Sequence, residues 1–91
     1  MTDAPQFTIV FRKSAVKDLA RCEDSMKRRI SSAIDCLSSE PQPSGVVKLE
    51  GFANFWRIRV GAFRVIYEIQ ANQLIIHIVH IAHRKDVYRS L

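Results

Sequence analysis

The segment at residues 56–67, WRIRVGAFRVIY, constrains the fold of this 91-residue chain more than any other stretch. Apolar and basic residues alternate through its first five positions, a pattern that predicts a half-buried β-strand. A second run, rich in β-branched and aromatic residues, follows and predicts another strand. Gly61 and Ala62 separate the two runs and predict a two-residue turn. The segment therefore predicts a β-hairpin.

The register of this hairpin places basic residues together on one face of the sheet. One face would carry Trp56, Ile58, Val60, Phe63, Val65 and Tyr67. The other would carry Arg57, Arg59 and Arg64, beside Ile66. Arg59 would lie directly opposite Arg64, and like charges in such a pair destabilise a sheet by about 0.2–1 kcal/mol. The pairing suggests a polyanionic partner that neutralises the arginines, and the plain alternative is a solvated basic face.

The length and charge of the chain limit the kinds of protein it can be. Ninety-one residues predict one domain, residues 1–91, with one modest core. Hydrophobic residues make up 47% and charged residues 25%, which is typical of a globular protein. The formal net charge of +5 points to nucleic acid or another anionic surface as a partner.

No segment of the sequence predicts a membrane span or an export signal. The longest apolar run, residues 74–81, is interrupted by His77 and His80 and is far shorter than the about 20 residues that a bilayer requires. Asp3 and Pro5 stand where a basic and then apolar signal segment would begin. We therefore expect a cytoplasmic protein without a membrane partner.

The two cysteines, Cys22 and Cys36, are isolated and lack the spacing of a zinc or redox motif. Reduced structural thiols are the expectation in a cytosolic protein. We predict no metal and no cofactor.

The rest of the chain predicts an α+β fold. The predicted elements are a strand at residues 6–11, a helix at 15–21 capped by Ser14, a helix at 25–39, a short strand at 46–49, the hairpin, and a strand at 74–81 that is central and covered on both faces. The order is β-α-α-β-β-β-β, with the N-terminal strand and the helical hairpin packed on one face of a mainly antiparallel sheet. The arginines would lie on the other face, and an apolar patch there would mark a docking surface.

Chemically capable residues follow the last predicted strand, at residues 83–89, HRKDVYR. Arginine binds phosphate through two parallel hydrogen bonds, and an exposed tyrosine can stack on a base. Histidine is the side chain best suited to moving protons near neutral pH. His77 and His80, which lie inside the apolar strand, are better interpreted as core histidines. A polar C-terminal tail is the alternative interpretation of this segment.

Four segments, read in order, resemble a known family. They are residues 48–51, KLEG; 56–61, WRIRVG; 63–69, FRVIYEI; and 83–88, HRKDVY. They resemble the RelE/ParE superfamily of bacterial toxins from type II toxin–antitoxin systems, and the resemblance covers nearly the whole chain. It implies a RelE-like fold and a co-encoded antitoxin that binds the toxin in a hetero-oligomer.

The RelE branch of this family implies an activity as well. Its members cleave messenger RNA on the ribosome without a metal, by attack of the 2′-hydroxyl on the adjacent phosphate to give a 2′,3′-cyclic phosphate. The resemblance implies a catalytic set of Arg59, Arg64, His83, Arg84 and Tyr88. The implied RNA-binding residues are Lys48, Arg57, Lys85 and Arg89.

One departure from the family affects the assignment of roles. The best-known ribosome-dependent member has lysines where this chain has Arg57 and Arg59. Arginine does not lose its proton in proteins, so these residues are expected to hold phosphate and stabilise the transition state. His83 is the more plausible residue for proton transfer, because some relatives use a histidine in this region.

The resemblance also leaves two other functions open. The ParE branch inhibits DNA gyrase by binding and has no known RNA cleavage, although Arg84 together with Tyr88 favours the nuclease branch. An inactive member would act only with its antitoxin, in DNA-binding autoregulation.

Overall fold

The computed structural model describes residues 6–85, which form a five-stranded sheet and two α-helices. The elements are β1 (Thr8–Phe11), α1 (Lys13–Ala20), α2 (Asp24–Leu37), β2 (Val47–Lys48), β3 (Phe55–Val60), β4 (Phe63–Gln70), a 3₁₀ turn (Ala71–Gln73) and β5 (Ile75–His83). The strands lie in the order β1-β5-β4-β3-β2, and only β1 and β5 pair in parallel. The predicted α+β class and order of elements are confirmed. Neither helix in the described range could cross a bilayer.

The central hairpin has the predicted register. Arg59 pairs with Arg64, and Val60 pairs with Phe63. Gly61 in the turn has a φ of 60°, which a residue without a Cβ adopts at little cost. A Cβ at Gly61 would lie 3.3 Å from Nη1 of Arg29, so the Arg29 side chain packs closely against the turn.

The main core lies between the helices and one face of the sheet, which we call the helix face. Ile30, Ile34 and Leu37 recur along α2 at helical spacing and are at most 1% exposed. They belong to one buried cluster with hairpin residues such as Val65 and Tyr67. The Tyr67 hydroxyl donates a hydrogen bond of 2.7 Å to the Pro41 carbonyl. Burial raises the pKa of Tyr67 above its ordinary value.

The opposite face of the sheet, which we call the arginine face, is partly apolar, as predicted. Leu49, Ile66 and Ala82 form a second buried cluster there, and Phe55 and Val79 pack against it. Most of these apolar side chains are shielded from solvent. Val47, which pairs with Arg57, remains 42% exposed beside them. The docking role of this face stays a prediction.

The start of α1 differs from the prediction. Ser14 does not cap the helix, because α1 begins at Lys13 and its N-cap residue, Arg12, makes no side-chain capping bond. The Ser14 hydroxyl instead donates a 2.6 Å hydrogen bond to the Val79 carbonyl and so ties α1 to β5. The Ser14 hydroxyl therefore forms a tertiary hydrogen bond in place of the predicted capping bond.

The last strand, β5, is an interior strand of the sheet, as predicted, because it pairs with a strand on each side. β4 occupies the middle of the sheet, and β5 lies between β4 and the edge strand β1. Ile76 and Ile78 are fully buried on the helix face, whereas His77 is only half-buried. β5 also contains an irregularity: Ile66 pairs with His80 and Tyr67 with Ile78, which leaves Val79 as an extra residue. This is a β-bulge.

Candidate functional site

Four arginines form a basic cluster, Arg57, Arg59, Arg64 and Arg84, which we call the arginine patch. Alternation along β3 and β4 places the first three on the arginine face, because Arg57 pairs with Ile66 and Arg59 with Arg64. The Arg84 backbone N–H donates to the Ala62 carbonyl at 2.8 Å, which fixes Arg84 beside the hairpin turn. Residues from three strand segments therefore contribute to one positive surface.

The electrostatics of the patch are unfavourable in the free protein. Partial burial lowers the pKa of Arg64 from its ordinary value, and the charges of Arg59, Arg57 and Arg84 lower it further. Within residues 6–85, no carboxylate forms an ion pair with Arg59, Arg64 or Arg84. An anion bound beside Arg59, Arg64 and Arg84 would relieve their mutual repulsion.

Most hydrogen-bond donors of Arg59 and Arg64 remain available within the described range. Arg59 donates from Nε to the Gly61 carbonyl at 3.3 Å, and Arg64 donates from Nη1 to the Phe63 carbonyl at 3.4 Å. Both bonds are long, and each uses one of the five N–H donors of a guanidinium. The remaining donors can form the paired, charge-assisted bonds that phosphate accepts.

Sequence reasoning missed a fifth cation at this end of the molecule. The Arg29 guanidinium of α2 reaches the hairpin turn and would contact a Cβ placed at Gly61. Met26, one helical turn earlier, reaches the same point. The spacing of Arg29 three residues after the inward-facing Met26 was the signal that could have identified it.

His83 does not join the arginine patch in this structure. It pairs with Phe63 across the ladder, on the helix face, and the two rings meet edge-on with centroids 5.6 Å apart. Arg64 pairs instead with Ala82. The His83 Nδ1 atom accepts the Lys85 backbone N–H at 3.3 Å, so the neutral ring carries its proton on Nε2. The catalytic role of His83 stays a prediction.

The other predicted RNA-binding residues are distributed differently. Lys48 pairs with Trp56 and not with Arg57, so it belongs to the helix face. Its ammonium donates to the Phe52 carbonyl at 2.8 Å and lies 5.6 Å from the Trp56 ring centroid. Lys85 is exposed in the turn after β5. Tyr88 and Arg89 lie outside the described residues.

A half-buried acid–base pair, His80 with Asp18, lies next to the bulge of β5. His80 Nδ1 is 2.5 Å from Asp18 Oδ2, and the same oxygen accepts the Ile81 backbone N–H at 2.9 Å. His80 Nε2 is buried and has no hydrogen-bond partner among residues 6–85. His80 therefore lies in the protein interior as predicted, but only its Nδ1 atom has a polar partner in the described range. No cluster of three or more metal-ligating side chains occurs between residues 6 and 85.

Comparison with known proteins identifies the family. A family model described as the ParE toxin of a type II toxin–antitoxin system matches residues 9–88. The chain belongs to the RelE/ParE superfamily. Toxin RelE3 of Methanocaldococcus jannaschii is 31% identical over 84 residues, which cover 88% of this chain and 93% of that protein. The chain is a toxin of a type II toxin–antitoxin system, and the predicted family is confirmed.

Solved structures of the superfamily agree with the observed architecture. The archaeal RelE–RelB complex from Pyrococcus horikoshii contains a chain that is 31% identical, with a TM-score of 0.78 over 87% of this toxin and 96% of that chain. The RelB–RelE complex from Methanococcus jannaschii gives 27% identity and a TM-score of 0.73 over 90% of this toxin and 98% of that chain. The Escherichia coli RelBE toxin–antitoxin complex, at 13% identity, shares the fold.

Proposed function

We propose that this toxin is a metal-independent endoribonuclease that cleaves messenger RNA on the ribosome and thereby inhibits translation. The observation that supports the proposal is the arginine patch, in which Arg64 is partly buried beside three like charges and itself forms no ion pair with a carboxylate of residues 6–85. Such an arrangement costs stability and is typical of a functional site. A nucleic-acid phosphate is the ligand that best fits several convergent guanidinium groups.

The proposed reaction requires charge stabilisation above all. The RNA 2′-oxygen attacks the adjacent phosphorus, the bond to the 5′-oxygen breaks, and a 2′,3′-cyclic phosphate and a 5′-hydroxyl result. Negative charge accumulates on the phosphoryl oxygens in the transition state. Arg59, Arg64 and Arg84 would donate to those oxygens more strongly as the charge develops, which lowers the barrier. Arg57 would hold a flanking phosphate.

The proton transfers need groups other than the arginines. In the neutral form, the His83 ring presents an N–H at Nε2, because Nδ1 accepts the Lys85 N–H. Protonation of Nδ1 would give an imidazolium, which can donate its Nε2 proton to the leaving 5′-oxygen. Since His83 pairs with Phe63 on the helix face, the reacting phosphate would have to bind at the end of β5, between the two faces. Tyr88 remains a candidate for the other transfer.

An antitoxin is the proposed protein partner. The similar toxins from Pyrococcus horikoshii and Methanococcus jannaschii were crystallised with RelB antitoxins. The basic and partly apolar arginine face fits an acidic or amphipathic segment, which would form a toxin–antitoxin hetero-oligomer and cover the patch. The proposed site of action is the cytoplasm, where the ribosomes are.

Gyrase inhibition is the second candidate, and the matched family model, described as a ParE toxin, favours it. One experiment separates the candidates: purified toxin is added to a translation extract, and primer extension maps breaks in the message. We expect breaks within codons on ribosome-bound message, and none with Arg64→Ala. Intact message together with loss of DNA supercoiling by purified gyrase would support the ParE function. Intact message and active gyrase would indicate an inactive toxin that acts with its antitoxin on DNA.

A further inference from the structure

Arg29 differs from the two basic residues that precede it on α2. Lys27 forms an ion pair with Asp24 at 3.8 Å, within the same helix. Arg29 has no carboxylate three or four positions away in either direction, so the helix offers it no such pair. Its exposed side chain forms no hydrogen bond or ion pair with any residue between 6 and 85. All of its N–H donors are therefore available to a ligand.

Packing holds this unpaired guanidinium against the hairpin turn. Nη1 and Nη2 of Arg29 lie 3.3 Å and 3.5 Å from the position that a Cβ of Gly61 would take, and Cε of Met26 lies 3.4 Å from the same point. Met26 packs against the main core and so provides a fixed apolar surface beside the guanidinium. The charge of Arg29 is thus placed at one defined position.

Arg59 reaches the same residue of the turn. Its Nε donates to the Gly61 carbonyl at 3.3 Å. These contacts and the dimensions of a single residue limit the distance between Arg29 Nη1 and Arg59 Nε to about 10 Å. A phosphate that accepts bonds of about 2.7–2.9 Å on two of its oxygens spans most of that distance, and rotation of the two exposed side chains can close the rest.

Open space for a nucleotide lies beside Arg59. Within the described sheet, β2 pairs only with Trp56 and Arg57, so residues 58–60 of β3 have no strand on that side. A cavity of about 510 Å³, which we call the α2 groove, is lined there by Ala33, Cys36, residues 43–45, Ile58 and Arg59. Ala33 follows Arg29 by four positions, so Arg29 and the α2 groove share one side of the helix.

We propose that Arg29 and Arg59 form a second phosphate-binding site at the hairpin turn, which we call the turn site, and that the nucleotide attached to this phosphate lies in the α2 groove. The ligand is single-stranded RNA. Arg59 pairs with Arg64, so the turn site adjoins the arginine patch, and the five N–H donors of Arg59 suffice for two neighbouring phosphates. The link to the scissile phosphate rests on the proposed function, whereas RNA binding by Arg29 does not.

The experiment measures the affinity of the purified toxin for a short labelled RNA by fluorescence anisotropy at several salt concentrations. The RNA carries 2′-O-methyl groups, which remove the attacking hydroxyl and prevent cleavage. Arg29→Ala should weaken binding by about tenfold, the loss of one charge-assisted contact. It should also make the plot of log affinity against log salt less steep by about 0.7, the value for one phosphate of a single strand.

Arg28→Ala is the matched control, because it removes the same charge from the adjacent exposed position of α2. It should change neither the affinity nor the salt dependence appreciably. Arg29→Lys should keep the salt dependence and part of the affinity, since it keeps the charge. Thermal melts check the fold of each variant, and Arg29→Gln replaces Arg29→Ala if the latter unfolds. Equal effects of Arg29→Ala and Arg28→Ala would overturn the turn site.

The exposed thiol of Cys36 reports on the α2 groove. Saturating RNA should slow alkylation of Cys36 by iodoacetamide, measured by mass spectrometry of the digested protein, and Arg29→Ala should reduce this protection at the same RNA concentration. Cys22 is the internal reference, because burial raises its thiol pKa and makes it react slowly. Alkylation of Cys36 at one rate with and without RNA would overturn occupation of the α2 groove.

The outcomes separate this inference from the proposed nuclease. Message cleavage by the wild type, with equal RNA affinities for wild type and Arg29→Ala, would overturn the turn site and leave the nuclease standing. Arg29-dependent RNA binding without any cleavage would support the turn site and refute the nuclease. Loss of affinity for an acidic antitoxin peptide in Arg29→Ala, with unchanged RNA binding, would overturn the inference and assign Arg29 to a protein interface.

Discussion

Replacing Arg64 with alanine should change catalysis and stability in opposite directions. Arg64 lies directly opposite Arg59, and Arg57 and Arg84 add to the positive potential that lowers its pKa. Removing one of two facing like charges should stabilise the fold by about 0.2–1 kcal/mol. For a domain of this size that corresponds to a rise in Tm of about 1–8 °C. The same change should lower cleavage by about 10²–10³-fold, or roughly 2.7–4 kcal/mol of transition-state stabilisation.

The assay is single-turnover cleavage of ribosome-bound message, with thermal melts on the same preparations. Arg28→Ala is the matched control, because Arg28 is an exposed arginine of α2 outside the patch. It should leave the cleavage rate unchanged and shift the Tm little. Arg59→Lys should cost less activity than Arg59→Ala, since it keeps a charge at that position.

A variant Arg64→Ala that loses activity and also melts at a lower temperature than the wild type would refute the predicted gain in stability. That result would make Arg64 a structural residue and would indicate that an unrecognised partner offsets its charge. Cleavage at the wild-type rate together with a raised Tm would exclude Arg64 from the mechanism. Its repulsion with the neighbouring arginines would then be its only supported effect.

Three further predictions concern other residues. His83→Gln should lower single-turnover cleavage by about 10²–10⁴-fold and flatten the alkaline limb of the pH–rate profile, because a general acid must be protonated to act; a wild-type profile would exclude histidine from the mechanism. Ile34→Ala should destabilise the fold by about 2–5 kcal/mol in urea titrations, because Ile34 is only 1% exposed in the main core; a smaller loss would mean that the core collapses around the gap. Tyr67→Phe should cost about 1 kcal/mol through the lost bond to the Pro41 carbonyl. Since burial raises the pKa of Tyr67, ionisation favours the unfolded chain, so wild-type stability should fall as the pH rises above about 10, and Tyr67→Phe should show less of that fall in alkaline melts.

The hairpin and the second helix were predictable because their sequence signals are local. Alternation through residues 56–60 together with the turn at Gly61 determined which side chains share a face, and the register of Arg59 with Arg64 followed. The apolar spacing of Ile30, Ile34 and Leu37 identified the buried stripe of α2 in the same way.

Features that depend on contacts between distant segments were not predictable. Lys48 was grouped with the arginines, but β2 is only two residues long, so alternation could not show which face Lys48 occupies. Its pairing with Trp56 depends on the connection between β2 and β3. A cavity lies between the loop that contains Gln42 and the 3₁₀ turn that contains Gln73, and no single stretch of sequence shows that these two segments meet.

The bulge at Val79 explains why His83, which was predicted to join the arginines, lies on the opposite face of the sheet from Arg64. In a regular strand, residues three positions apart face opposite sides, yet Ile78 and Ile81 both join the core of the helix face. The extra residue reverses the alternation, so Ala82 falls on the arginine face opposite Arg64, and His83 falls on the helix face opposite Phe63.

Asp18 stabilises this arrangement from outside the strand. Its Oδ2 accepts the Ile81 backbone N–H and lies against His80 Nδ1, so one carboxylate binds both residues that follow Val79. The bulge therefore decides which of two adjacent residues meets the patch. It delivers Arg84 close enough to lower the pKa of Arg64, and it turns His83 toward Phe63. A single inserted residue in β5 thus separates the predicted phosphate-binding arginines from His83. The positions of the arginines therefore support the proposed nuclease activity more strongly than the position of His83 does.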